Sequence, residues 1–288
     1  MTHSFFKNSL CLFLFFATSS HVISQTKKDS VVNPSEQTTW QMLKYDARSI
    51  FDGALYSVTA PSRWNGEDFA TAGGIIAGTA VLHTIDYDAR SYFLKQNNDV
   101  PDLLKDVGYY FGSPQNFFLL TGGLYTVGLI TKNEKVRNTA VLIISSSAVA
   151  GFYSAIGKSV IGRARPEDGT GKFEFDPFSD QPKYHSFPSG HTILSMSMAH
   201  SVAKQFDNWW VKSGIYAVGA IAPVSRLWAD AHWLTDVAFG TAISIVVVDS
   251  IDNYLHKKER YPDAMRPNKR IKWRLAAGPR TLGVIGTF

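Results

Sequence analysis

Three short motifs in the second half of the sequence place basic, histidine and carboxylate side chains at the edges of apolar runs. They are KSVIGRARP (158–166), FPSGHT (187–192) and SRLWADAHWLTD (225–236). Each lies where a helix is expected to begin or end, and the backbone there leaves polar groups without intrahelical partners. Side chains from all three motifs could therefore share one pocket, although they are far apart in the chain.

Lys158, Arg165 and Arg226 are three cations, and around a single point they would repel one another unless a multiply charged anion lay between them. Phosphate suits that position, because Arg donates in a planar fork to paired oxygens and Lys acts as a compact charge. Ser189 and the backbone N–H of Gly190 would add donors at a helix start. These five residues are predicted phosphate ligands. Taken singly, each could instead be a solvated helix-end charge or an ordinary N-cap.

Two histidines could supply the chemistry at such a phosphate. His232 and Asp236 are four residues apart, so on a helix they would share one face. The carboxylate would fix the tautomer that leaves Nε2 of His232 free to attack phosphorus, giving a phosphohistidine. His191 would protonate the leaving alkoxide and later take a proton from water. The predicted catalytic residues are His232, His191 and Asp236, with no cofactor and no metal, although singly each histidine could be an ordinary helix residue.

Apolar stretches long enough for helices position these motifs. They run at about 68–85, 115–131, 138–157, 190–206, 213–224 and 236–251. Few stretches alternate as strands do. The sequence therefore predicts an all-α bundle of about six helices with the active site at one end, flanked by a polar N-terminal segment and a basic C-terminal tail.

The domain organisation follows from composition. Residues 1–24 have a basic start, an apolar centre and small residues before Gln25, which is typical of a secretory signal peptide. A polar N-terminal segment follows at 25–66, then the helical domain at 67–255 and a basic tail at 256–288. The only cysteine, Cys11, lies in the leader. The mature chain would then have no thiol for a disulfide or a zinc–thiolate site.

The signals for location conflict. The basic segment 131–138 and the tail would lie on one side of a membrane, as the positive-inside rule prefers. A cleaved leader, however, would place Lys158 on that same cytoplasmic side after three spans. An exported helical bundle in the periplasm, resting on a membrane, resolves the conflict, and an integral membrane bundle is the alternative.

The three motifs resemble the tripartite signature of the type 2 phosphatidic acid phosphatase and vanadium haloperoxidase superfamily. That signature runs Lys-x6-Arg-Pro, Pro-Ser-Gly-His and Ser-Arg-x5-His-x3-Asp, and the resemblance covers about 140–250. It implies a helical bundle and a metal-free phosphatase, and it assigns to the residues above the same roles. The sequence departs from it in two places: the small Gly often found in the x5 stretch is replaced within LWADA, and Asp230 adds an acid near the pocket. Asp230 could tune the substrate charge that is tolerated, but we expect it to face solvent.

The expected function is a phosphatase of the bacterial cell envelope that acts on phosphomonoesters, with a phosphorylated lipid such as phosphatidate or polyprenyl diphosphate as substrate. Aromatic residues near the motifs and the basic tail favour contact with a membrane surface. The alternatives are a soluble, broad-specificity periplasmic acid phosphatase acting on small phosphomonoesters, a vanadium haloperoxidase and a non-catalytic anion-binding bundle. The net charge of +5 is modest and does not form a nucleic-acid-binding face, so no nucleic acid partner is expected.

Overall fold

The computed structural model describes residues 38–169, 171–264, 272–278 and 281–287. Within these residues the chain forms nine α-helices and one two-stranded antiparallel sheet. The helices are α1 Thr39–Val58, α2 Gly66–Thr84, α3 Asp86–Gln96, α4 Asp102–Phe111, α5 Pro114–Ile130, α6 Glu134–Ile161, α7 Gly190–Ala203, α8 Trp209–Trp228 and α9 Leu234–Lys257. The strands are β1 Lys272–Gly278 and β2 Thr281–Thr287. The leader predicted at 1–24 lies outside the described residues.

The all-α class is confirmed, and the six apolar stretches correspond to α2, α5, α6, α7, α8 and α9. Three helices were not predicted: α1 within the polar N-terminal segment, and the short α3 and α4. They were missed because charged and polar residues interrupt their apolar positions, as in DYDARSYFLKQ of α3. The β1–β2 hairpin in the basic tail was not predicted either.

The long helices define two ends of the bundle. We call the end that holds Lys158 of α6 and Asp236 of α9 the site end. The opposite end holds the turn at 131–133 and Lys257, and we call it the basic end. α2 runs alongside α9 from the basic end to the site end, because Asp68 shares a groove with Asn253 whereas Asp86, just beyond α2, bonds Thr235. The motifs at the ends of α6, α8 and α9 and at the start of α7 therefore meet at the site end.

α7 forms the centre of the bundle. All of its residues from 195 to 203 are buried, and Ile193 packs in a cluster with Val141, Leu142 and Val248. Close approach to α8 depends on Gly219, since a Cβ there would lie 2.5 Å from the Cβ of Ala199. This tight packing fixes the start of α7, which carries the second motif.

α1 is fastened to the basic end by a buried ion pair. Asp46 accepts from Nε of Arg137 at 2.9 Å and from Nη2 at 3.1 Å, and neither side chain is more than 6% exposed. The hydroxyls of Tyr125 and Tyr261 donate to the same carboxylate at 2.9 and 2.8 Å. With four donors, this carboxylate is well satisfied, and it joins α1 to α5, α6 and the segment after α9.

Candidate active site

A pocket of about 450 Å³ opens at the site end. It is lined by six of the eight predicted site residues: Lys158, Arg165, Gly190, His191, Arg226 and His232. The other two, Ser189 and Asp236, lie directly behind the pocket wall and are fully buried. The structure therefore brings together residues that the sequence separates by as many as 78 positions, counted from 158 to 236.

The first motif supplies two cations because the chain reverses sharply after α6. The helix ends at Gly162, whose φ of +58° is left-handed and where a Cβ would lie 2.0 Å from the carbonyl oxygen of Asp176. Glycine is needed there for both reasons. The reversal brings Arg165 back beside Lys158. Two backbone carbonyls orient the Arg165 guanidinium: Nη1 donates to Ala231 at 2.9 Å and Nε to Pro182 at 3.3 Å.

The third cation, Arg226, is in the last turn of α8. It is 8% exposed, and its guanidinium carbon lies 4.9 Å from the ring centre of Tyr109. A buried guanidinium over an aromatic face is held by a cation–π interaction that does not use its N–H donors. Nε donates to the Ser225 hydroxyl at 3.3 Å, and the donors on the two Nη atoms are available to an anion in the pocket. Tyr109 is on α4, a helix that the sequence patterns did not predict.

The start of α7 forms another part of the pocket wall. The backbone N–H of Ser189 donates to the carbonyl of Asp236 at 3.1 Å, whereas its buried hydroxyl has no hydrogen-bond partner. Gly190 is the first residue of α7, and a Cβ built there would lie 3.5 Å from Nζ of Lys158. The N-terminus of α7 at Gly190 and the ammonium group of Lys158 thus line the same pocket, with the Ser189 hydroxyl buried behind it. Such an arrangement suits an anion.

The two histidines are on different elements. His232 is not on a helix, contrary to the expectation, because α9 begins at Leu234. It lies in the turn before α9, where its Nδ1 still faces Oδ2 of Asp236, at 3.5 Å. His191 is the second residue of α7 and packs against the ring of Tyr109, with centroids 5.6 Å apart. Gly112 allows α4 to approach, since a Cβ there would lie 2.9 Å from that of His191.

Both histidines are held neutral. Burial lowers the pKa of His232, against the opposing effect of Asp236. Burial and, after it, the nearby charges of Arg226, His232, Lys158 and Arg165 together lower the pKa of His191 from 6.5 to about 3. Negative charge in the pocket would offset those cations. The protonation of His191 is therefore coupled to occupancy by an anion.

Asp236 is surrounded by donors that the sequence patterns only partly indicated. Oδ1 accepts from Nη1 of Arg163 at 2.6 Å, and Oδ2 accepts from the hydroxyl of Ser186 and from the backbone N–H of Trp233, the latter at 2.9 Å. Arg163 is in the first motif, but its role could not be told apart from that of Arg165. It also bonds Asp86, at 2.6 Å from Nη2. Asp86 is 150 residues from Asp236 in the chain, and no pattern linked them.

We expected Asp230 to face solvent, but it is paired with Arg90 of α3. The guanidinium donates to both carboxylate oxygens, from Nε at 2.7 Å and from Nη2 at 2.6 Å, and the Asp230 side chain is 17% exposed. Its φ of +56° is left-handed, which explains why a small residue suits this position. Its carbonyl accepts from the N–H of Glu167 at 3.0 Å. Asp230 thus ties the turn before His232 to α3 and to the first motif.

Comparison with known proteins supports the resemblance. The family model of the PAP2 superfamily matches residues 139–258. Curated relatives named lipid A 1-phosphatase include one from Rhizobium etli, 30% identical over 35% of this chain and 43% of its own length, and one from Porphyromonas gingivalis, 31% identical over 35% and 20%. The chain thus matches less than half the length of these relatives.

Among solved structures, this chain is similar to a transmembrane PAP2 type phosphatidylglycerolphosphate phosphatase from Bacillus subtilis. The two are 16% identical with a TM-score of 0.49, and the match covers 65% of this chain and 96% of that one. The matched family region contains all three motifs, and its bounds agree with the 140–250 expected from them. Residues 139–258 of this chain therefore form a domain of the PAP2 superfamily.

Proposed function

We propose that this chain is a phosphatase that hydrolyses the phosphomonoester of a lipid through a phosphohistidine intermediate. One observation carries the proposal: three cations, a helix N-terminus and two histidines converge on one pocket. The relatives named lipid A 1-phosphatase support a phosphate on a lipid as the substrate. Besides a lipid A phosphate, phosphatidate and polyprenyl diphosphate are candidate substrates.

The first half of the reaction is a transfer of the phosphoryl group to His232. Its Nδ1–H points toward Asp236, so Nε2 has the free lone pair and attacks phosphorus in line with the ester oxygen. The P–N bond forms as the P–O bond to the lipid breaks. His191 gives its proton to the departing oxygen, which leaves as the lipid alcohol or, from a diphosphate, as the lipid monophosphate.

The second half releases phosphate. His191, now neutral, takes a proton from a water molecule as that water attacks phosphorus from the side the alcohol left. The P–N bond breaks, inorganic phosphate forms, and His232 returns to its neutral state. Lys158, Arg165 and Arg226 hold the nonbridging oxygens throughout and stabilise the charge that develops on them. Asp236 stabilises the positive charge that His232 acquires.

The outer surface supports a membrane as the environment. α6 and α9 are the two described helices that are long and apolar enough to cross a bilayer, although the buried core helices of soluble proteins also pass this test. The stronger sign is exposure: α2 buries none of its residues, and Ile76 and Val81 on it are 65% and 69% exposed. Ile130 of α5 is 77% exposed. Such large apolar outer faces are rare on soluble proteins and suit contact with lipid.

Charge favours one orientation in that membrane. The basic end carries Lys132, Lys257 and Lys258, whereas the basic residues at the site end include the three cations predicted to bind phosphate and Arg163, which is paired with Asp86 and Asp236. Positive residues outside such a site are retained on the cytoplasmic side. The pocket at the site end would then open toward the outer side of the membrane, which in a bacterial envelope is the periplasm. We therefore propose an integral membrane bundle instead of a periplasmic bundle that rests on a membrane. The active site still faces the periplasm.

A soluble acid phosphatase is the second candidate, favoured by the signal peptide expected at residues 1–24. Extraction of membranes with alkaline carbonate distinguishes the two, because only an embedded bundle stays in the pellet. A haloperoxidase would oxidise halide with peroxide when vanadate is bound, whereas a phosphatase is only inhibited by vanadate.

Substitution of His232 tests the mechanism. We expect His232→Ala to abolish phosphate release from both phosphatidate and p-nitrophenyl phosphate, because the nucleophile is lost. Because three cations and a helix N-terminus supply the positive charge at the phosphate, we expect the wild type to keep its activity in EDTA. Turnover by His232→Ala at the wild-type rate would refute the phosphohistidine.

A further inference from the structure

The loop between α6 and α7 displays three phenylalanine side chains beside the pocket. Phe173 and Phe178 are each 71% exposed, and Phe175 is also exposed. None of them belongs to the three motifs or lines the pocket. We call residues 172–178 the phenylalanine loop. A cluster of large apolar side chains on a surface marks contact with another apolar body.

The backbone of this loop is fastened to the end of α6. Phe178 donates its N–H to the carbonyl of Ser159 at 2.7 Å, Ala164 donates to Glu174 at 3.0 Å, and Asp176 donates to Gly162 at 2.7 Å. Phe178 has a φ of +64°, a left-handed conformation that is unfavourable for a bulky residue. The fold thus holds this loop in place with its rings outward, rather than letting them collapse onto the surface.

A second attachment sets the height of the loop along the bundle. Nζ of Lys172 donates to the last carbonyls of α2, those of His83 at 2.8 Å and Thr84 at 2.9 Å. The ring of Phe173 lies 5.1 Å from that of His83. The phenylalanine loop is therefore level with the C-terminal end of α2.

The apolar outer face of α2 relates that level to a bilayer. Its exposed large apolar side chains are Phe69, Ile76 and Val81. The helix ends three residues after Val81, at Thr84. A bilayer covering this apolar face would therefore have one surface near His83 and Phe173. The rings of the loop would lie at the boundary between acyl chains and headgroups.

We propose that the phenylalanine loop inserts into the membrane leaflet that the pocket faces and holds the pocket mouth at the depth of a lipid-borne phosphate. The partner is the bilayer surface itself, because the loop continues the apolar face that α2 presents. The proposal rests on the proposed function for the identity of the substrate, but insertion is a property of the loop and is measured without turnover.

A fluorescent probe reports insertion directly. Phe173→Cys in a Cys11→Ser background gives a single thiol, which is labelled with an NBD dye, and the full chain is reconstituted in phosphatidylglycerol–phosphatidylcholine vesicles. We expect a blue-shifted emission that nitroxides at shallow acyl positions quench more strongly than nitroxides near the bilayer centre. Glu174→Cys, labelled in the same way, is the neighbouring polar control and should be quenched less. A water-like emission at Phe173, or a shift that depends on protein density rather than on lipid, overturns the proposal, the latter in favour of contact between copies of the chain.

Kinetics then test the purpose of insertion. In the triple variant Phe173→Ser, Phe175→Ser and Phe178→Ser we expect KM for phosphatidate in vesicles to rise roughly tenfold or more, because the aromatic surface that anchors the mouth is lost. The kcat/KM for a water-soluble short-chain phosphatidate should stay within about twofold of the wild type, and Glu174→Ser should match the wild type on both substrates. An equal loss on both substrates overturns the proposal. If the wild type hydrolyses no phosphomonoester, the proposed function is rejected instead. The fluorescence experiment then still decides whether the loop inserts into the membrane.

Discussion

Arg163→Lys tests whether Asp236 must be held by a guanidinium. Nη1 of Arg163 bonds both Asp236 and the hydroxyl of Thr235 at 2.6 Å, and Nη2 bonds Asp86 at 2.6 Å. A lysine ammonium is a single point on a flexible stem and cannot reproduce this fork. It would keep contact with one carboxylate and leave the other, which is fully buried, without a counter-charge.

The expected loss is large because every partner is buried. Hydrogen bonds to charged groups contribute about 1.5–3 kcal/mol each, so losing two of the three contacts should cost about 3–6 kcal/mol. In a protein of this size each kcal/mol lowers Tm by about 2–4 °C, which predicts a decrease of at least about 6 °C. Catalysis should suffer as well, because Asp236 orients His232 and a misplacement of about 1 Å costs on the order of 100-fold in rate.

Arg137→Lys is the matched control. Arg137 also forms a buried fork with an aspartate, Asp46, but at the basic end and remote from the pocket. Arg137→Lys should lower Tm in detergent by less than Arg163→Lys, because a lysine there can keep contact with the one carboxylate of Asp46. Only Arg163→Lys should lower kcat, measured at a temperature where both are folded. If Arg163→Lys keeps the wild-type kcat, or if Arg137→Lys loses as much, Arg163 has no positioning role beyond stability.

Two further predictions concern charge at the site. Sulfate, which stays a dianion across the range, should bind more tightly as pH falls from 8 to 5, because an anion raises the depressed pKa of His191 and so takes up a proton; isothermal titration in detergent measures this. His191→Asn should flatten that dependence, and an unchanged slope would contradict the coupling. Asp230→Ala should be less stable than Asp230→Gly by about 1 kcal/mol, since both lose the Arg90 pair but only Gly relieves the left-handed φ. Thermal denaturation compares the two, and equal values would show that this φ carries no strain.

The sequence was sufficient to place the residues that contact the pocket because their chemistry is repeated and local. Lys158 and Arg165 occur within eight positions, and Arg226 and His232 within seven. Cations collected near histidines have few uses besides binding an anion, and the structure brings six of the eight predicted residues to one pocket. The six apolar stretches were similarly informative, since burial of α7 and the length of α6 and α9 require apolar runs.

The supporting residues could not be predicted because their partners are set by tertiary packing. Asp86 pairs with Arg163 across 77 positions, and Arg90 pairs with Asp230 across 140. Asp86 is the first residue of α3, and Asp230 pairs with Arg90 on that helix. The sequence of α3 is too polar to be recognised as that of a buried element. The assumption that an acid beside a motif faces solvent fails here because a second element covers it. His232 was placed on a helix for a related reason: spacing of four is typical of a helix, but a turn that leads into one brings the same two residues together.

The charged groups of the pocket are positioned by the fold rather than by the substrate. Two backbone carbonyls orient the Arg165 guanidinium, and the guanidinium of Arg226 lies over the ring of Tyr109. Lys158 and these two guanidinium groups line one pocket, where like charges repel one another. A phosphate between them would replace that repulsion with attraction. Because these groups are fixed before the substrate arrives, none has to reorganise as charge develops on the nonbridging oxygens. The cations that would bind the phosphate of the substrate are thus also the ones that would stabilise the transition state.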